Sequence, residues 1–163
     1  MNFKRMYGIK APPKPKPMNK KQQPIIIIED DQDDCDLISN AFHDIGVSNE
    51  IKFFPNGLEA LHYLQVTSER PYLILSDVNM PLMNGFDLKQ QIVNNPELKK
   101  KAIPFVFFST SARQSEVGKA YDMMAQGYFL KSHNYNALKM QIKTIIDYWS
   151  LCKHPNSNYR SHD

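Results

Sequence analysis

Four consecutive isoleucines, Ile25-Ile26-Ile27-Ile28, run directly into three acids, Glu29-Asp30-Asp31. A β-branched run this short, apolar at every position, reads as a strand buried on both faces, because a strand with one wet face would alternate. The ordered part of the chain is expected to begin here, at residue 24.

The pattern after it alternates. Leu37, Ile38, Ala41, Phe42 and Ile45 recur at helical spacing over about 33–45, and Gly46 supplies a stop. A strand follows at Ile51–Phe54, and Pro55-Asn56-Gly57 turns into a second helix carrying Leu58, Leu61 and Leu64. Tyr72–Ser76 reads as a third strand, about Phe86–Asn94 as a third helix, Phe105–Phe108 as a fourth strand and Gln114–Met124 as a fourth helix. Gly127–Leu130 is a fifth strand, and Leu138, Ile142, Ile145, Ile146 and Trp149 form one stripe of a last helix. Connections long enough for a helix and too long for a hairpin make the strands parallel. The expected fold is an α/β doubly wound five-stranded parallel sheet with helices on both faces, flavodoxin-like.

A length of 163 residues suits one such domain with tails and leaves no room for a second. The predicted division is a basic Pro/Lys-rich disordered arm at 1–23, a domain at 24–152 and a C-terminal tail at 153–163. Seven of the 20 basic residues precede residue 24 without an acid among them, so the remainder carries 13 basic against 17 acidic residues. The net positive charge thus belongs to the arm, and a nucleic-acid partner is not expected for the domain. No apolar run approaches a membrane span, so a cytoplasmic protein without a membrane partner is expected. Cys35 and Cys152 form no CxxC pattern, and His43, His62, His133, His154 and His162 read as surface histidines.

Open parallel sheets bind ligands at the carboxyl ends of their strands. Those ends carry Glu29-Asp30-Asp31, Asp77, Ser109-Thr110-Ser111 and Lys131. Carboxylates that converge repel unless neutralised, and a hard divalent cation does this through oxygen ligands. Mg²⁺ in particular takes one or two carboxylates together with a phosphoryl group. Lys131 adds a compact positive charge that can pair with Asp77 or with phosphoryl oxygen. A carboxylate is a competent nucleophile at phosphorus when charge on the phosphoryl oxygens is stabilised, which makes Asp77 a candidate for an aspartyl-phosphate.

The blocks Ile25–Asp30, Asp77-Val78-Asn79-Met80-Pro81, Asn84-Gly85, Pro104–Ser109 and Gly127–Lys131 resemble the signatures of response-regulator receiver domains of two-component signalling. The likeness covers about residues 24–150 and is to the stand-alone, single-domain type. It implies that Asp77 is the phospho-acceptor, that Glu29, Asp30, Asp77 and the carbonyl of Asn79 hold Mg²⁺, and that Lys131 and Ser109 assist. Ser109 and Tyr128 are the implied switch pair. The implied partners are a sensor histidine kinase or a histidine phosphotransfer protein, and a downstream protein or a second copy engaging about residues 112–150. Such a phosphoprotein works in a phosphorelay and is not an enzyme.

Three departures stand out. Ser132 replaces the usual proline after the lysine, where a non-proline cis peptide would cost about 2.5–4 kcal/mol. Thr110 stands where a small residue is usual. Asp31, Asp33 and Asp34 make the first loop unusually acidic, and one of them at most is expected to influence the metal. The first two motivate an alternative, a phosphorylation-independent pseudo-receiver that binds partners. A further alternative is an aspartyl-phosphate phosphatase, but that chemistry requires an acid where Asn79 stands.

Overall fold

Residues 23–156 are described by the computed structural model. The arm at 1–22 and residues 157–163, His162 included, lie outside them. The isoleucine run forms β1 (Ile25–Ile28), an inner strand of a parallel five-stranded sheet of order β2-β1-β3-β4-β5, with β2 at Ile51–Phe54, β3 at Leu73–Ser76, β4 at Phe105–Ser109 and β5 at Gly127–Leu130. The helices are α1 (Gln32–Asp44), α2 (Gly57–Val66), α3 (Gly85–Asn94), α4 (Pro96–Lys100), α5 (Gln114–Asp122) and α6 (Tyr135–Leu151). None of the described helices is long and apolar enough to cross a membrane.

The three inner strands, β1, β3 and β4, are buried on both faces of the sheet, as their uninterrupted apolar runs require, while the edge strands β2 and β5 are partly buried. Alternate residues Ile26, Ile28, Ile74, Phe105 and Phe107 pack against Ala60, Leu64, Leu88 and Ala120 on one side. Ile25, Ile27, Leu73, Leu75, Val106 and Phe108 pack against α1 and α6 through Ile38, Phe42, Leu138 and Ile142 on the other. Leu37 and Leu58, assigned to apolar stripes by their spacing, sit at the stripe edges and are exposed.

Among the described residues six helices stand where five were expected. The added one, α4, arises at Asn95-Pro96. Proline cannot continue the backbone hydrogen bonds of α3 and drives the preceding residue out of the helical region; Asn95 is extended, at φ −98° and ψ 112°. The Asn95 side chain then accepts from the N–H groups of Glu97 and Leu98 and starts a new helix. Just beyond it, Lys101 Nζ donates to the carbonyls of Leu64 and Thr67 at 2.8 and 2.7 Å, closing the C-terminal end of α2.

One expectation about the C-terminus needs correction. His154 is buried rather than a surface residue, and the segment that follows Cys152 packs onto the domain. The His154 ring stacks on Tyr72 at 4.5 Å and its Nε2 meets the Tyr72 carbonyl at 2.7 Å. Its Nδ1 accepts from the Asn156 N–H at 3.1 Å, which fixes a neutral tautomer with the proton on Nε2. Asn156 reaches on to the Lys101 carbonyl at 2.8 Å, and its own carbonyl accepts from the Gln23 side chain at 3.3 Å. These contacts form a clasp along the amino edge of the sheet. Sequence periodicity cannot reveal it, because it is built from one ring stack and single polar contacts.

Burial lowers the His154 pKa, although the bond to Tyr72 acts the other way. A histidine whose folded pKa lies below its unfolded value contributes stability that is complete above the unfolded pKa, about 6.5, and is lost as pH falls toward the folded one. Thermal melts between pH 8 and pH 5 should therefore show a steeper acid loss for the wild type than for His154→Phe. Parallel pH profiles would refute the clasp's protonation sensitivity.

Candidate functional site

Parallel pairing brings the carboxyl ends of β1, β3, β4 and β5 to one edge, where the predicted residues meet. Ile28 is in register with Ser76, so the next residues, Glu29 and Asp77, flank one pocket. The Asp77 N–H donates to the Ile28 carbonyl at 2.9 Å, extending the ladder by one residue and fixing the acid's backbone. Its Oδ1 accepts from the N–H of Val78 at 2.6 Å. Behind it the chain doubles back so tightly that Gly85 lies against Asp77. A Cβ at Gly85 would sit 2.1 Å from the Asp77 carbonyl oxygen, and the Gly85 N–H is tied to the Val78 carbonyl at 2.9 Å.

Glu29, Asp30 and Asp77 each offer a carboxylate oxygen within 4.8 Å of the others. Glu29 and Asp77 are buried and Asp30 is exposed, giving the pocket a dry floor and a wet rim. Glu29 Oε1 accepts from the Asp31 N–H at 3.0 Å. Burial pushes the Glu29 carboxyl above its ordinary range even though Lys131 pulls it down. An all-oxygen, carboxylate-rich donor set of this kind suits a hard divalent cation. Asn79 is exposed two residues beyond Asp77.

Lys131 enters from the end of β5, with its N–H on the Ser109 carbonyl at 2.7 Å. Its side chain is only 3% exposed. It pairs with Glu29, lies 2.7 Å from Asp34 Oδ2, and is 3.6 Å from Asp77 Oδ2. Burial opposes the charge, but the hydrogen bonds the ammonium donates to Asp34 and Glu29 and the charges of Glu29 and Asp77 hold it above the usual lysine range. The Lys131–Ser132 peptide is trans, there being no cis peptide among the described residues. Gln141 of α6 steadies that loop in proline's place. Its Oε1 accepts from the Ser132 N–H at 3.1 Å and its Nε2 donates to the Leu130 carbonyl at 2.7 Å.

Ser109 is fully buried and its Oγ accepts from the Ser111 N–H at 3.3 Å, while Thr110 is exposed. Tyr128 is half-buried, tilted on Phe107 at 5.8 Å, and donates its hydroxyl to the Ser111 carbonyl at 2.5 Å. Burial raises its pKa against a lowering contribution from Ser109, so the phenol stays protonated and remains a donor.

Sequence reasoning missed Asp34 and Gln141. Of the three additional acids, Asp31 caps α1, accepting from the Asp34 N–H at 3.0 Å. That cap fixes the helix phase which carries Asp34 to Lys131. An Asp three residues after a capping Asp was the available signal. Gln141 gave none, because a glutamine on a helix is ordinary until its loop partner is known.

The sequence pattern of the response regulator receiver domain matches residues 25–143. The response regulator Rcp1 of Synechocystis sp. is 31% identical over 130 residues, covering 77% of this chain and 87% of that protein. The probable methanogenesis regulatory protein FilR2 of Methanothrix harundinacea is 29% identical, covering 77% and 82%. Among solved structures, the phosphorylated cyanobacterial phytochrome response regulator RcpA superposes with a TM-score of 0.75 at 31% identity, over 82% of this chain and 99% of that one. The Mn²⁺-bound form of Rcp1 gives 0.74 at 29% identity, with the same coverage.

Proposed function

Because the chain belongs to the response regulator receiver family of two-component signalling, we propose that Asp77 accepts a phosphoryl group from a phosphohistidine, with Mg²⁺ held by Glu29, Asp30, Asp77 and the carbonyl of Asn79. The observation carrying this reading is the convergence of three carboxylate oxygens within 4.8 Å of one another, with Lys131 Nζ 3.6 Å from Asp77. The manganese-bound form of the similar protein Rcp1 supports the cation.

An oxygen of the Asp77 carboxylate attacks phosphorus. The new P–O bond forms as the bond to the donor's histidine nitrogen breaks, and the electron pair stays on that nitrogen. Val78 engages Oδ1 through its N–H, which orients the carboxylate with Oδ2 toward Lys131. Lys131 neutralises charge on a phosphoryl oxygen, and the Ser109 hydroxyl donates to another. Mg²⁺, when bound, supplies the remaining neutralisation of the phosphoryl oxygens.

Signalling follows from what touches Ser109. Tyr128 is bonded to the Ser111 carbonyl, so a shift of the 109–111 segment toward a phosphoryl group changes the position that suits Tyr128. Tyr128 lines the groove between β5 and α6 with Tyr121, Tyr148 and Trp149, and Met124, Leu130 and Leu151 are exposed nearby. That face is where a downstream protein or a second copy docks. The donor is a sensor histidine kinase or histidine phosphotransfer protein in the cytoplasm, and the chain acts as acceptor rather than as an enzyme.

Incubation with a small phosphodonor and Mg²⁺, followed by intact-mass measurement, tests this. One phosphoryl adduct is expected on the wild type and none on Asp77→Asn. A wild type that stays unmodified under excess donor would point instead to the phosphorylation-independent pseudo-receiver.

A further inference from the structure

We propose that Asp34 is a positioning residue that holds the Lys131 ammonium off Asp77 and so keeps the acceptor carboxylate open to a cation and to phosphorus. The proposal rests on the reading of Asp77 given above.

Lys131 has three N–H bonds to direct and three carboxylates around it. Glu29 and Asp34 take two of them at hydrogen-bonding distance. Asp77, at 3.6 Å, lies beyond one. Of these three acids, Asp34 alone is outside the Glu29–Asp30–Asp77 cluster. It therefore remains available to Lys131 when the other two are engaged elsewhere. Both members of the pair are anchored independently. Asp34 sits in the first turn of α1, its N–H held by the Asp31 cap, and Lys131 is bonded through its backbone to Ser109.

A buried ammonium cannot go without a counter-charge. With Asp34 neutral, Lys131 would be left with Glu29 and Asp77, and its shortest way to balance is to close the gap to Asp77. Closed, that pair would mask the nucleophile and compete for the oxygen that a cation needs. Asp34 acts through Lys131, not by touching the phosphoryl group.

Two measurements test this. A structure of metal-free Asp34→Asn should show Nζ drawn from 3.6 Å to about 2.8 Å, hydrogen-bonding distance, from Asp77. Calorimetry with Mg²⁺ should show roughly fivefold weaker binding by Asp34→Asn than by the wild type, but less than about a twofold change when the same substitution is made in a Lys131→Met background, as expected for directly coupled residues. Asp33→Asn, an exposed acid one position earlier on α1, controls for charge alone and should change affinity less than about twofold in both. If Lys131→Met does not fold, Lys131→Gln serves as the background. Equal losses in both backgrounds, or an ammonium that stays in place, would overturn the role of Asp34. A wild type that binds no Mg²⁺ would instead overturn the metal reading, and the position of Nζ in Asp34→Asn would still decide the role of Asp34.

Discussion

Replacing Gly85 with alanine is expected to destabilise the protein by about 3 kcal/mol or more, at the upper end of what overpacking costs. The methyl group would meet the Asp77 carbonyl oxygen at 2.1 Å, with Ser76 Oγ and Phe107 Cε1 at 3.1 Å. The nearest obstacle is backbone, which cannot rotate aside as a side chain can. Retreat of the Gly85 segment is blocked as well, since its N–H is tied to the Val78 carbonyl. The melting temperature should fall by roughly 6–12 °C. Because relief requires Asp77 to move, phosphorylation by a small donor should slow by about two orders of magnitude, the scale of a 1 Å misplacement. Gly118→Ala is the control: nothing lies within 4 Å of its Cβ, and a glycine inside a helix is costly relative to alanine. That variant should gain about 0.5–1 kcal/mol. A Gly85→Ala protein that melts with the wild type would sink the argument.

Lys131→Met should be the other severe change, and its size should depend on conditions. Removing one partner of a buried ion pair costs about 3–5 kcal/mol when the other is left charged. Glu29 is the residue left behind, and burial already pushes its carboxyl upward with Lys131 present. A carboxyl whose folded pKa exceeds its unfolded value contributes stability below the unfolded pKa and loses it as pH rises through the folded one. The penalty in the variant should therefore be greatest at neutral pH and shrink toward pH 4. Mg²⁺ should offset part of it by supplying the missing positive charge, and a ligand at a hundred times its Kd stabilises by about 2.7 kcal/mol. Melts at pH 7.5 with a chelator and with Mg²⁺ should show a larger Mg²⁺ shift in Lys131→Met than in the wild type. Equal shifts would mean that Lys131 and the cation do not compete for the same carboxylates.

What the sequence revealed and what it hid divide along physical lines. The strands were legible because Ile25–Ile28, Leu73–Leu75 and Phe105–Phe108 must be dry on both sides, and only a parallel sheet between helix layers makes them so. Glu29, Asp30, Asp77, Ser109 and Lys131 were legible because that topology gathers strand ends, so adjacency to a strand was enough to predict convergence. Asp34 and Gln141 were not, since each acts from a helix face, and its partner is set by helix phase and by a loop 97 residues away for Asp34. The turn at Asn95-Pro96 was readable as a break but not as a new helix of five residues. His154 and Asn156 follow the last periodic stretch, where pattern no longer carries information about burial.

The clasp joins the described chain's point of entry to its point of exit. Gln23 is bonded to Asn156, and both lie on the edge of the sheet away from Asp77. A short peptide bridging these two positions would close residues 23–156 into a loop without crossing the pocket. The backbone could then be reopened beside it, at the exposed Ala112–Arg113 segment that leads into α5. Such a circular permutant would place its new ends on the segment that links Ser109 to Tyr128, so a pair of fluorophores attached there would report the state of the acceptor directly.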